Sequence, residues 1–189
     1  MRVALVNTNR IKPPVSPIGL EYVAEAMHAA SHAVDILDLC RVDDPSTAIA
    51  NFFKDAEYGL IGLTLRNTDD CAFTGRQSFL GDARAIVQAV KRHTSAPVFM
   101  GGAGFSVMPA TVLEHTGADA GVWGEGEWAL PACAALIASG KPWNDVPGIV
   151  ARGPAGWRAV PPERGPHNTP AHGLHAPRSA DLLAVCLDR

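Results

Sequence analysis

Apolar runs recur along the chain and are separated by longer segments of mixed polarity. They occupy residues 3–6, 60–65, 97–100 and 120–123, while residues 34–39 alternate apolar with acidic positions. A continuous apolar run is typical of a strand buried on both faces, and alternation is typical of an outer strand. The pattern therefore predicts five strands, with the run at 60–65 near the centre of the sheet.

The intervening segments carry apolar residues at helical spacing. Residues 19–30 place Leu20, Val23, Ala24 and Met27 on one face, which predicts an amphipathic helix. A later helix is predicted with Ala85, Ile86, Ala89 and Val90 on one side. Further helices are predicted over 46–56, with Ser46 as the N-cap, over 109–115 and over 127–139.

Strands that alternate with helices predict an α/β fold. The five strands are expected to form a flavodoxin-like (Rossmann-like), doubly wound parallel sheet with right-handed crossovers. Residues 149–151 and 157–160 flank a turn at 153–156, which predicts a small C-terminal edge hairpin.

The composition changes after this hairpin. Residues 161–189 hold five of the 15 prolines and three of the seven histidines, which is typical of a linker. The 189 residues are therefore interpreted as one domain over 1–160 and a Pro-rich tail over 161–189.

Charge and cysteine content exclude several functional classes. Lys and Arg number 16 against 19 Asp and Glu, for a net charge of −3, so a nucleic-acid partner is not expected. No apolar stretch approaches the length of a membrane span, and no membrane partner is expected. Cys40, Cys71, Cys133 and Cys186 lie far apart without a CxxC spacing, which favours reduced thiols in a cytoplasmic protein.

Polar or glycine-rich segments follow four of the predicted strands. They are residues 7–10, 66–70, 101–106 and 124–127. In an open parallel sheet, ligands bind outside the carboxyl ends of the strands, where the strand order reverses. The first of these loops lacks GxGxxG, and the chain has no P-loop, so these motifs do not indicate a nucleotide; an α/β enzyme that uses FMN or NAD remains an alternative.

Four segments occur in an order that resembles a known family. They are PIGLEY at 17–22, GLTLRNTDD at 62–70, GGAGFSVMP at 101–109, and GAD at 117–119 followed by WGEGE at 123–127. The set resembles the N-terminal cobalamin-binding domain of B12-dependent radical SAM proteins over about residues 1–150. The tail at 177–183 is similar to the linker that leads to the radical SAM barrel in such proteins.

The resemblance implies cobalamin as the cofactor and methyl transfer as the activity of a parent enzyme. A radical SAM barrel needs a CxxxCxxC motif, which this chain lacks. S-adenosylmethionine and a [4Fe-4S] cluster are therefore expected only in a parent or partner radical SAM domain, in cis or in trans. A cobalamin carrier or sensor that acts with a partner protein is the alternative.

The resemblance also implies a set of cofactor-binding residues. In related domains the benzimidazole base leaves cobalt and enters a slot beside the sheet. Here Gly101 and Gly102 would leave room for it, and Val122, Phe105 and Val107 are candidate walls. The implied site comprises Thr8, Asn9, Gly19, Thr64, Leu65, Arg66, Asn67, Gly101, Gly102, Gly104, Phe105, Ser106, Trp123, Gly124, Glu125, Gly126 and Glu127.

One departure from the family pattern concerns the lower ligand of cobalt. Many cobalamin domains carry DxHxxG after the first strand, and its histidine binds the metal; residues 7–12 of this chain contain no histidine. The resemblance then implies base-off, His-off binding with no protein ligand to the metal. Arg66 is hypothesised to lie under the corrin, and a solvated loop arginine is the alternative. Cys71 is interpreted as packing rather than as a reactive thiolate.

Overall fold

Seven strands form a single mixed sheet with helices on both faces. The computed structural model describes residues 1–70 and 77–162. The strands are β1 Arg2–Asn7, β2 Ala33–Asp38, β3 Leu60–Thr64, β4 Val98–Gly101, β5 Ala120–Val122, β6 Ile149–Gly153 and β7 Gly156–Ala159. The helices are α1 Ile18–Ala29, α2 Pro45–Lys54, α3 Leu80–Lys91, α4 Ala103–Val107, α5 Pro109–Thr116 and α6 Gly126–Ala138, with a 3-10 turn at Leu39–Arg41.

The strand order is β2-β1-β3-β4-β5-β6-β7. The first five strands pair in parallel, and β6 and β7 continue the sheet in antiparallel fashion. The predicted flavodoxin-like sheet and its edge hairpin are confirmed, and the hairpin extends the same sheet to seven strands. The order reverses between β1 and β3, so a crevice at their carboxyl ends is the expected ligand position.

Alternation along each strand divides the apolar side chains between two cores. On one face Ala4 and Ile61 pack with the apolar stripes of α2, α3 and α5. On the other face Val3, Leu60 and Phe99 pack with α1 and α6. The strands read as continuous apolar runs because helices cover both faces.

Two local predictions are wrong. The N-cap of α2 is Asp44, whose carboxylate accepts a hydrogen bond from the Ser46 amide at 3.0 Å, so Ser46 lies inside the helix. Ala85 is exposed, because the buried stripe of α3 runs through Ala83, Ile86, Val87, Ala89 and Val90. The glycine-rich segment after β4 contains a short helix, α4, that the sequence pattern did not predict.

In addition to the pairing of β6 with β5, side chains of the hairpin contact the body of the fold at Glu114 on α5. The Glu114 carboxylate accepts from Arg152 at 2.9 Å and from the Trp157 indole at 2.8 Å. These contacts are exposed, so they fix the orientation of the hairpin more than they stabilise it. Over residues 1–70 and 77–162, no helix has both the length and the apolar content that a membrane crossing requires.

Several predictions concern residues outside the described ranges 1–70 and 77–162. Residues 163–189 of the predicted tail lie there, as do Cys71 and Cys186. The other two cysteines, Cys40 and Cys133, are buried free thiols. Burial raises the pKa of the Cys133 thiol to about 12, so it is neutral and unreactive at neutral pH.

Candidate functional site at the carboxyl edge of the sheet

The loop after β1 is built on buried polar side chains. The Asn7 amide donates to the Asp38 carboxylate at 2.7 Å, and the Asn9 backbone amide donates to the Asn7 side-chain oxygen at 3.1 Å. The Asn9 side-chain oxygen in turn accepts from the Ile11 amide at 3.2 Å. Because each of these buried groups has a partner, the loop is held in one conformation.

The loop after β3 is joined to the first loop. The Thr8 hydroxyl donates to the Thr64 carbonyl at 2.6 Å. Leu65 is buried in the core, whereas the next residue, Arg66, is exposed. The predicted neighbours Thr8, Asn9 and 64–67 are therefore brought together. The side chain of Arg66 lies at the exposed surface.

The loop after β4 closes against the same segment. The Leu65 amide donates to the Gly101 carbonyl at 2.7 Å, and the Gly104 amide donates to the Leu65 carbonyl at 3.0 Å. Gly102 has φ 95° and ψ 172°, a conformation that is essentially restricted to glycine. Hydrogen bonds thus join the loops after β1, β3 and β4 into one unit.

The glycines of this loop differ in the space they leave. A Cβ atom on Gly102 would lie 2.7 Å from the Leu65 carbonyl oxygen, so protein backbone already fills that space. A Cβ atom on Gly101 would meet Val122 at 3.9 Å, an ordinary contact distance. Of these two glycines, Gly101 is the one that borders room for a ligand.

The side chains predicted to form the walls of the benzimidazole slot do not all lie together in the structure. Val122 is buried on the face of α1 and α6, next to Gly101. Phe105 is buried on the opposite face, where its ring occupies the space beside Gly121. Val107 is 71% exposed and cannot be the wall of a buried slot, so that prediction is wrong.

The loop after β5 completes the edge. The Ser106 hydroxyl donates to the Gly102 carbonyl and accepts from the Gly124 amide, each at 3.1 Å. Gly124 has φ 94°, and a Cβ atom there would lie 3.8 Å from Pro162. The chain after the hairpin therefore returns to this same edge.

The starts of α1 and α6 lie side by side at the edge. A Cβ atom on Gly126 would lie 2.9 Å from Val23, so the glycine permits close approach of the two helices. Gly19 has nothing within 4 Å of its missing Cβ and is exposed near the start of α1. Glu125 is the N-cap of α6 without a side-chain hydrogen bond, and Glu127 lies in the first turn, where an acid complements the helix dipole.

A cleft of about 290 Å³ opens between the loops after β1 and β3. We call it the polar cleft, and it lies where the strand order reverses. Its lining residues are Thr8, Asn9, Arg10, Ile11, Lys12, Leu65, Arg66, Asn67, Asp70, Gln77, Phe79 and Asp82.

Sequence reasoning missed the cations that the first loop contributes to the polar cleft. Lys12 donates to the Cys40 carbonyl at 2.5 Å, and Arg10 donates to the Asp43 carbonyl at 3.2 Å. These bonds orient the two cations without neutralising their charge. The sequence signal that could have identified Arg10 and Lys12 is their position in the loop after the first strand. Gln77, Phe79 and Asp82 were also missed as cleft residues, because their approach depends on contacts such as the hydrogen bond from the Asp70 amide to the Gln77 carbonyl at 3.0 Å, which sequence pattern does not indicate.

Exposed apolar side chains surround the rest of the edge. In the part of the chain that the structure describes, the exposed large hydrophobic residues are Val15, Ile18, Tyr22, Val107, Met108, Trp123 and Trp128. We call these seven the apolar rim. All of them follow the carboxyl ends of β1, β4 or β5. Exposed apolar side chains in these positions are available for contact with a ligand or a partner.

Across residues 1–70 and 77–162, no group of three or more His, Cys, Asp and Glu side chains is placed to hold a metal ion. The residues that line the polar cleft in this described part include no histidine.

Comparison with known proteins agrees with this geometry. A sequence model of the B12 binding domain matches residues 4–134. The tryptophan 2-C-methyltransferase of Streptomyces laurentii is 35% identical over an alignment of 174 residues, and the match covers 89% of this chain and 29% of that protein. The chain thus spans less than a third of the length of this relative.

Two solved structures share the fold. The radical S-adenosylmethionine methyltransferase TsrM from Kitasatospora setae, with cobalamin and a [4Fe-4S] cluster bound, is 36% identical with a TM-score of 0.82, over 88% of this chain and 30% of that one. The cobalamin-dependent S-adenosylmethionine radical enzyme OxsB, with aqua-cobalamin and S-adenosylmethionine bound, is 17% identical with a TM-score of 0.72, over 87% and 22%. The second likeness concerns the fold alone. Since the family match covers most of the chain, the protein belongs to the B12-binding domain family.

Proposed function

We propose that residues 1–160 are the cofactor module of a B12-dependent radical SAM methyltransferase and hold cobalamin base-off and His-off at the carboxyl edge. When bound, cobalamin supplies a cobalt centre that carries a methyl group. The observation that carries the proposal is the composition of the polar cleft: among its described lining residues there is no histidine, and the Asn9 side-chain oxygen is already bonded to the Ile11 amide.

The residues at the edge fit such a cofactor. Cobalamin is much larger than the 290 Å³ cleft, so only part of it would enter. The corrin would rest over the loops after β1 and β3, and its amide side chains have hydrogen-bonding groups of Asn67 and Gln77 within the lining. The apolar rim would cover the hydrocarbon edges of the disc.

Arg66 is proposed to lie below the metal. A guanidinium stays protonated, so it is a poor ligand, and its charge and donors would keep water from coordinating cobalt. Arg66 would then exclude water from the metal without itself being a ligand of cobalt.

The nucleotide tail is proposed to enter between the sheet and the helices α1 and α6. Alternation along β4 puts Gly101 on the same face as Phe99, which packs against those helices. Gly101 leaves room beside Val122. At the start of α1 the Leu20 and Glu21 amides donate to the Pro17 carbonyl, so the Ile18 and Gly19 amides are the ones that would bind a phosphate group.

The catalytic partner is proposed to be a radical SAM domain, in cis or in trans, that supplies S-adenosylmethionine and the [4Fe-4S] cluster. Support comes from the 35% identical tryptophan 2-C-methyltransferase, of which this chain spans 29%. By the same relationship, an indole-containing amino acid is the substrate class that we propose for the complete enzyme.

Reconstitution tests the proposal directly. The protein is incubated with hydroxocobalamin, desalted, and examined by visible spectroscopy, with FMN and NAD in parallel samples. We expect retained colour with base-off bands and no retention of FMN or NAD. A colourless folded protein, or retention of FMN or NAD instead, contradicts the proposal.

A matched pair of glycine variants locates the tail. Gly101→Ala adds a methyl group that the protein tolerates, since its nearest neighbour is Val122 at 3.9 Å. We expect roughly tenfold weaker cobalamin binding, because overpacking a close contact costs about 1–3 kcal/mol. The control Gly81→Ala, with nothing within 4 Å of its Cβ position on α3, should bind as the wild type does. Equal binding by both variants would remove Gly101 from the tail site.

A further inference from the structure

The backbone that carries Arg66 is held from two sides. On one side the Thr8 hydroxyl donates to the Thr64 carbonyl at 2.6 Å. On the other side the Gly104 amide donates to the Leu65 carbonyl at 3.0 Å, and the Leu65 amide donates to the Gly101 carbonyl at 2.7 Å. Residues 64–67 therefore lie in a clamp formed by the loops after β1 and β4.

Gly104 determines how closely the loop after β4 can approach residues 64–67. It is buried, and a Cβ atom there would lie 2.8 Å from the carbonyl carbon of Asn67 and 2.9 Å from its Cα and nitrogen. All three atoms are backbone, so no flexible side chain can move aside to relieve the contact. The helical conformation of Gly104 within α4 is open to any residue, in contrast to Gly102 with φ 95°. Glycine is therefore needed at position 104 because of the close contact with the Asn67 backbone, and not because of its own backbone conformation.

We propose that Gly104 is a positioning residue for Arg66, and that Thr8 is its counterpart on the opposite side. Gly104 lets the backbone of α4 close on Asn67, which fixes the backbone of the preceding residue. Because Arg66 is exposed, this anchoring decides where its side chain begins. The inference rests on the proposed function, in which Arg66 keeps water from the lower face of cobalt.

Substitution of Gly104 by alanine moves this segment without unfolding α4. The added methyl group must displace Asn67 or α4 by several tenths of an ångström, and the hydrogen bonds of Leu65 pass the shift to Arg66. Alanine also has a better helix propensity than glycine, by about 1 kcal/mol, which offsets part of the strain. We therefore expect a folded variant with a misplaced Arg66.

The test compares four proteins loaded with hydroxocobalamin, desalted and reduced to Co(II): wild type, Arg66→Ala, Gly104→Ala and the double variant. We expect the visible and electron paramagnetic resonance spectra of both single variants to shift in the same direction, toward a metal with a water ligand. The double variant should match Arg66→Ala, because the two substitutions disturb one interaction and are not additive. Gly81→Ala should keep the wild-type spectrum. A wild-type spectrum for Gly104→Ala, or additive shifts, overturns the inference.

A cobalamin-free measurement separates this inference from the proposed function. Amide hydrogen exchange at Leu65 should accelerate by at least about tenfold in Gly104→Ala and not in Gly81→Ala, because local opening governs exchange. Unchanged exchange at Leu65 overturns the clamp, whether or not the protein binds cobalamin. Failure of the wild type to retain colour contradicts the proposed function alone.

The Thr8 side of the clamp provides a second pair of variants. Thr8→Val removes the hydroxyl while keeping the shape, and Thr8→Ser restores the donor. We expect Thr8→Val to reproduce the exchange and spectral changes of Gly104→Ala, and Thr8→Ser to behave as the wild type. If Gly104→Ala fails to fold by circular dichroism, this pair decides the inference, and identical behaviour of Thr8→Val and Thr8→Ser overturns it.

Discussion

The polar cleft and the apolar rim occupy the same edge of the sheet but are built in opposite ways. Thr8 and Asn9 line the cleft and, like the adjacent Asn7, are buried and hydrogen-bonded to one another or to neighbouring backbone and side chains. In the rim, Val107 is 71% exposed and Ile18 is 57% exposed. One region is fixed by the fold, whereas the other has apolar surface that the fold does not cover.

The difference fits two tasks of the proposed cofactor module. Groups near a bound cofactor must be placed accurately, and a network of satisfied buried hydrogen bonds provides that rigidity. Apolar contacts are non-directional and tolerate adjustment, so they suit the broad edges of a ligand or partner. Substitutions in the cleft should therefore disturb the fold, and substitutions in the rim should disturb binding.

The largest effect is expected for Gly102→Ala. The variant forces alanine into the glycine-only conformation at φ 95° and ψ 172°, with its Cβ 2.7 Å from the Leu65 carbonyl oxygen. We expect a loss of about 2–4 kcal/mol in the free energy of unfolding, measured with denaturant. Gly117→Ala is the matched control, since Gly117 has φ 77° and nothing within 4 Å of its Cβ position. A smaller loss for Gly102→Ala than for Gly117→Ala would contradict the close contact.

Asn7→Asp should cause the next largest loss, of about 2 kcal/mol at neutral pH. It replaces the amide that donates to Asp38 at 2.7 Å with a second carboxylate. Repulsion raises the pKa of the introduced carboxyl in the folded state, so the loss should shrink as the pH falls and grow as it rises. Unfolding curves between pH 4 and pH 8 measure this dependence. The exposed control Asn51→Asp should show no such trend.

In the rim, the double variant Ile18→Ser, Val107→Ser should change stability by only about 0.5 kcal/mol, because both side chains are already largely exposed. The same variant should bind less of the dye anilinonaphthalene sulfonate and retain less cobalamin. Ala85→Ser, an exposed neutral change on α3, serves as the control. A stability loss as large as that of Asn7→Asp would mean that the rim belongs to the core.

The last prediction concerns Cys133, whose titration affects stability only in alkaline solution and not near neutral pH. Burial raises its pKa from 9.0 to about 12, so the folded protein holds the thiol proton more tightly than the unfolded chain does. The corresponding stability is fully present below pH 9 and is lost as the pH rises toward 12. Cys133→Ala should flatten the decline of the unfolding free energy between pH 8.5 and pH 10. Tyr58, whose pKa burial raises to about 12, contributes equally to both proteins.

Much of the fold could be predicted because the pattern of apolar residues in a strand indicates whether that strand is central or outer. The run at 60–65 lies inside the sheet, and the acid-alternating segment at 34–39 forms its outer strand β2. Errors arose where short-range signals compete. Asp44 and Ser46 are both good N-caps, and the turn before α2 selects Asp44. A five-residue helix such as α4 has too little periodicity to be detected.

The site could be predicted to the level of loops but not of contacts. The ends of β1, β3 and β4 were enough to bring Thr8, Arg66 and Gly101 together at one edge. The sequence does not indicate that Gly102 and Gly104 pack on the backbone of residues 65–67, because that contact arises only when two loops meet. A glycine-rich loop alone suggests room for a ligand, and here part of that room is occupied by the protein.

The position of Pro162 beside Gly124 affects how a catalytic domain would meet the cofactor. The polypeptide leaves the hairpin at the edge where the polar cleft opens, so a domain attached beyond this point starts close to the site. In the proposed cis arrangement, a flexible connection would give the two domains an effective concentration of up to about the millimolar range. The direct contacts between such a domain and the rim could then be weak without loss of association.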